Sequence, residues 1–285
     1  MAKKSRRNKA DKPKRRRVQF VDRPFADLPW EANLVAMREI IPSATLPLRT
    51  TAEYGAVEFT LATLLPNMAA AMRRSDDALF VGAQTVMSSG DESRDLADRI
   101  LQALELETGQ TLSQADLPEP GPRLQDILDL EFETAMQLHA DFEYWFTPAE
   151  AADPNVREMV EQSRQQIIPT IEVAGIPGAY WCRIQREFLR WVRPEGEDAV
   201  LDALARLQAR RELNFDEARF VGAFRARGLL IPVFELQPGT EVDELEKPLS
   251  EFEPIFAAEI ANTEPLTAEE RRARSGIISR QVTLR

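Results

Sequence analysis

A chain with one histidine and one cysteine has few routes to catalysis, and the setting of each narrows them further. His139 stands in the alternating run Leu138-His139-Ala140-Asp141-Phe142, which reads as a strand. A lone imidazole there is ordinarily a hydrogen-bonded structural residue, because a general base needs an orienting partner that no motif here supplies. Cys182 follows Tyr180-Trp181 in a second apolar strand. A reactive thiolate needs an electropositive surround. Alternation sends Arg183 to the opposite face, so Cys182 reads as a small buried hydrophobe. One histidine and one cysteine cannot build a zinc site. No catalytic residue, metal or cofactor is expected.

Carboxylates are plentiful. Asp126, Asp129, Glu131 and Glu133 form an acidic run, and Asp141 and Glu143 follow. Paired carboxylates could hold Mg²⁺ or Ca²⁺ or do acid–base work. No calcium-loop or glycosidase pattern frames them, so a solvated acidic surface is expected. Neither GxxxxGK[ST] nor GxGxxG occurs, which removes the usual phosphate cradles. Ser89-Gly90-Asp91-Glu92-Ser93-Arg94-Asp95 precedes a helix, and Ser89 or Asp91 is the expected cap.

The strongest chemical signal is charge. Residues 1–17 hold ten Lys/Arg and one Asp, a net of +9, within a chain of net −11. The remainder therefore carries −20. Lys3, Lys4, Arg6, Arg7, Lys9, Lys12, Lys14, Arg15, Arg16 and Arg17 are the candidate polyanion contacts. No aromatic ring interleaves them, so base stacking is not offered and binding should be electrostatic and sequence-tolerant. RNA, including the ribosome, is the preferred partner, ahead of DNA and anionic membrane. The tail lacks the apolar side chains that could offset the entropy of ordering, so by itself it should be disordered.

A single cysteine excludes an internal disulfide and suits a reducing compartment. No apolar segment follows the basic stretch as a secretory signal would require. The most apolar run, Leu61 to Met72, is broken by Pro66-Asn67 and too short for a bilayer. A cytoplasmic protein without a membrane span is expected.

Several elements must position these residues. With 44% hydrophobic residues in 285, the body can build a real core. Alternation predicts strands at 44–50, 56–64, 79–87, 136–146, 170–173, 179–184 and 187–192, with further strands at 220–223 and 229–236. Helices are predicted at 92–106, 123–130, 154–166, 197–211 and 249–262. Thr267 to Glu270 forms a capping box for a last one. The fold class is α+β, with antiparallel-rich sheets. The domains expected are a basic tail at 1–17, a first lobe at 18–120 and a second at 121–285. Glu58-Phe59 with Phe80-Val81-Gly82-Ala83 resembles Glu187-Phe188 with Phe220-Val221-Gly222-Ala223, which raises an internal duplication into two α/β lobes. Adjacent rings at Tyr144-Trp145 and Tyr180-Trp181 must point to opposite faces of a strand. One ring of each pair is therefore a candidate contact patch.

The body also resembles a known family, the uncharacterised actinobacterial domain of unknown function 5926. The resemblance rests on SGDESRDLAD at 89–98, GPRLQD at 121–126, FEYW at 142–145 and AYWC at 179–182. It continues through LRWVRP at 189–194, DALARL at 202–207, FRARGLLIPVFEL at 224–236 and PLTAEERRARSG at 265–276. It implies no activity. Some similar proteins carry an N-terminal, zinc-binding SEC-C motif, associated with docking to partners such as the ribosome. Residues 1–40 here contain no cysteine or histidine, and the basic tail occupies that end. Three functions are weighed. The first is a non-enzymatic interaction protein that docks on RNA or the ribosome through the tail. The second is a small-molecule-binding protein or enzyme with its site between the lobes. The third is a protein-binding module using the outer aromatic rings.

Overall fold

The computed structural model describes residues 19–84, 88–114 and 121–279. Two mostly antiparallel sheets and eight helices make up the described chain, an α+β fold. The first helix, α1 (Glu31–Glu39), leads into the hairpin β1 (Ala44–Arg49) and β2 (Glu58–Ala62), paired from Thr45↔Ala62 to Arg49↔Glu58. Gly55 closes this hairpin at φ +89, a left-handed conformation that glycine adopts without strain. Two short strands follow, β3 (Ala71–Arg73) and β4 (Leu79–Gly82), and β4 runs parallel to β2. Helix α2 (Glu92–Leu104) packs behind them, burying Leu96, Ile100 and Ala103 on one stripe. The sheet is completed by β5 (Thr111–Leu112) and β6 (Gln137–Leu138), and the short helix α3 (Leu124–Ile127) lies between these two strands in the chain. Strand order is β5-β3-β4-β2-β1-β6.

Helices α4 (Pro148–Ala151) and α5 (Pro154–Gln166) then lead to the second sheet. Its strands are β7 (Thr170–Glu172), β8 (Ala179–Arg183), β9 (Glu187–Trp191), β10 (Arg219–Ala226) and β11 (Leu229–Glu235), ordered β10-β11-β9-β8-β7. Between β9 and β10 runs α6 (Glu197–Arg210), and α7 (Glu246–Ile260) and α8 (Ala268–Ser279) end the described chain.

The second sheet is buried on both faces. Trp181, Leu189, Trp191, Leu230 and Phe234 join Leu201, Leu204, Phe252 and Phe256 in a helical core. On the other face Tyr180, Phe224, Leu229 and Ile231 enter the core built by α1, α2 and the first sheet. The two sheets therefore share a core. The first sheet also takes its sixth strand from residues 137–138, beyond the expected boundary at 120.

Two expectations are corrected. The strand predicted at 136–146 is only two residues of β6 followed by a tight turn at Glu143–Trp145. The Asp141 carboxylate accepts the Glu143 N–H at 2.9 Å, a side-chain turn that competes with the ladder. The duplication does not carry through to topology. The first FVGA string lies in and just after β4, directly beside β2, whereas the second lies in β10 at a sheet edge, with β11 between it and β9.

Candidate functional site: a charged junction and a cleft between the sheets

The start of α2 gathers three buried charged side chains, Asp91, Asp95 and Arg99. Asp91 precedes the helix but makes no side-chain cap. Its carboxylate instead accepts from Arg123 Nε at 2.9 Å and lies 3.7 Å from Arg94. The Ser93 hydroxyl donates to Gln125 Oε1 at 2.7 Å and accepts the Leu124 N–H at 3.0 Å. Arg123 and Gln125 both donate onward to the Pro24 carbonyl. A string that reads as a helix cap thus ties α2, α3 and the N-terminal segment together.

The next residues reach the second sheet. Glu92 pairs with Arg38 of α1 at 3.1 Å and with Arg227 of the β10–β11 turn at 2.5 Å. Arg227 also pairs with Glu39. Arg99 donates to the Gly82 and Gln84 carbonyls, each at 2.6 Å. Burial, with repulsion from Arg38, pushes the Arg99 guanidinium down to about 10 and that of Arg227 to about 9. Burial raises the Glu92 carboxyl against the pull of Arg38. Desolvation opposes charge in every case, and counter-ions hold the groups ionised. The buried Arg38 and Arg99 guanidiniums and the half-buried one of Arg227 face Glu39, Glu92 and Asp95. That near-neutral balance suits a charged clamp between the sheets rather than a site for a free anion.

A cleft of about 560 Å³ opens between the sheets. Trp30 just before α1 and Asn33 within it, Thr134 and Met136 ahead of β6, and Glu172 with the β7–β8 turn line it. The turn is fixed by its own bonds: Val173 N–H donates to the Ala179 carbonyl at 2.8 Å, Ala179 N–H to the Ile176 carbonyl at 3.2 Å, and Gly178 N–H to Glu172 Oε1 at 2.9 Å.

The residues singled out by type fall as follows. His139 accepts or donates at Thr45 Oγ1, 2.8 Å away, and its ring tilts against Tyr144 with centroids 5.0 Å apart. Burial lowers its pKa from 6.5. Cys182 is buried, and burial pushes its thiol up, away from the reactive thiolate. Asp129 pairs with Arg49 and Asp126 accepts the Arg123 N–H. Among the described residues no three or more His, Cys, Asp or Glu side chains are grouped to hold a metal.

The aromatic patch is corrected in its second half. Tyr180 is 0% and Trp181 2% exposed, because each face of their sheet meets a core of its own. Tyr144 and Trp145 are half-buried in a turn, not a strand, and both donate to the Leu64 carbonyl, at 2.9 and 2.8 Å. The ten tail residues from Lys3 to Arg17 lie outside the described residues. The junction itself was not foreseen. Its sequence signal is the string set at 89–98, 121–126 and 224–228, which the fold brings together. No curated protein and no solved structure matches the chain. A family model does match, over residues 24–285, and the chain belongs to that family of unknown function, DUF5926.

Proposed function

We propose that the protein is a non-enzymatic cytoplasmic interaction protein that docks on RNA, the ribosome's included, through its basic N-terminal tail. The carrying observation is how the body uses its cations. Lys247 is the only lysine after residue 17; the other cations of the body are arginines. Arg49 pairs with Asp129, Arg183 with Glu187 and Glu241, Arg193 with Glu195 and Glu253, Arg210 with Glu212 and Glu259, and Arg274 with Asp198 and Asp202. Arginine forks suit such fixed carboxylate pairs, whereas lysines, which make up half the tail's cations, act as solvated point charges. A body of net −20 repels a polyanion, so the tail is the part of the chain suited to engage one. The setting of His139 and Cys182 favours a non-enzymatic reading. Among the described residues no helix is long and apolar enough to cross a membrane.

The test is filter binding of full-length protein and a variant lacking residues 2–17 to single-stranded RNA, duplex DNA and anionic vesicles across a salt series. RNA binding should weaken linearly on a log–log plot, with a slope reaching about −7 if all ten cations contact phosphates. It should disappear with the tail. RNA binding that survives tail removal, or binding to vesicles alone, overturns the proposal.

A further inference from the structure

We propose that the cleft between the two sheets binds a small organic cation, its ammonium or guanidinium group at Glu172 and its apolar body against Trp30. Among the described residues Glu172 is the only charged side chain on the cleft wall. A single carboxylate in a partly desolvated cleft selects a cation and repels an anion. Trp30, 7% exposed on the opposite element, offers an aromatic surface of the kind cations and apolar groups both favour. The volume of about 560 Å³ falls in the range of small-molecule sites. The walls come from rigid elements, α1 on one side and the self-bonded β7–β8 turn on the other.

The Tyr180 hydroxyl, on the strand paired with β7, is buried beside the Glu172 carboxylate. The Asn33 amide contacts only the Met136 thioether, at 3.9 Å, a weak acceptor that a ligand oxygen would replace. The inference is independent of the tail, since a cation has no attraction to residues 1–17.

Isothermal titration calorimetry on the full chain tests it, with phenethylamine and agmatine as cations, 3-phenylpropionate as a matched anion and 2-phenylethanol as a matched neutral probe. At least one cation should bind once per chain with a Kd below about 1 mM, and the anion and alcohol at least about tenfold more weakly. Glu172→Gln keeps an acceptor for Gly178 and should weaken the cation about tenfold or more. Ala135→Arg tests the charge requirement from an exposed loop position on the cleft wall, where folding is not at stake, and should weaken it similarly. Absence of cation binding up to about 10 mM overturns the proposal. So does equal binding of the anion or alcohol, or undiminished binding to the Ala135→Arg variant.

Discussion

Asp91 is 2% exposed and faces two guanidiniums, Arg123 at 2.9 Å and Arg94 at 3.7 Å. Removing its charge while keeping its shape leaves both cations without that counter-ion. Arg123 is partly solvated, so the loss should fall below that of a fully buried pair. Asp91→Asn is expected to cost on the order of 2 kcal/mol, read from urea unfolding. His139 gives a pH dependence with a definite sign. Burial holds its folded pKa below the ordinary 6.5, against the pull of Asp141. Between the folded value and 6.5 the unfolded chain therefore binds more protons. Stability should rise with pH through that window and be lost as pH falls below it. His139→Gln removes this contribution, so the difference in urea midpoint between about pH 7.5 and about pH 5.5 should shrink relative to the wild type.

The β10–β11 hairpin is the element that joins the second sheet to the N-terminal segment. Gly228, at φ +79, turns it, and a Cβ there would stand 2.6 Å from the Cβ of Arg23. Gly228→Ala meets both a left-handed backbone and a collision with a residue that is itself anchored to Glu31 and the Pro194 carbonyl. A loss of about 2 kcal/mol or more is expected, seen as a lowered thermal midpoint. Elements with a strong period were legible before the fold was known. Helix α6 shows Val200, Leu201, Leu204 and Leu207 on one stripe, and the β8–β9 hairpin shows two apolar runs flanking Ile184-Gln185-Arg186. Helix α1 was not legible because Leu34, Val35, Ala36 and Met37 are buried in succession, which erases the polar face that marks a helix. Strand β3 has three residues, too few to show alternation. The buried rings at Tyr180 and Trp181 misled for a related reason. Alternation tells which ring faces which side, but not that both sides are covered. The charged junction was hidden because its pairs link residues far apart in the chain, Asp91 with Arg123 and Glu92 with Arg227.

At the scale of the whole molecule, the charge division and the shared core make different demands. The charge division lies at residues 1–17, and the described core begins at Phe25. The two sheets cannot be separated so simply. Tyr180, Val192, Phe224, Leu229 and Ile231 come from the second half of the chain yet pack with α1, α2 and the first sheet. Arg227, bound to Glu39 and Glu92, adds a charged clamp across the same boundary. Pulling the halves apart would expose that apolar face and strand buried guanidiniums, so partial unfolding is disfavoured and one cooperative transition is expected. Ile231→Ala distinguishes the cases. The side chain is 0% exposed and lies on the face turned to the first sheet. Its truncation should cost about 2–4 kcal/mol. With a shared core, far-UV circular dichroism and tryptophan fluorescence should shift together, because Trp30 in the first core and Trp181 and Trp191 in the second report one event. Were the halves independent, the same substitution would divide the melt into an early phase and an unchanged late one, and the two probes would part.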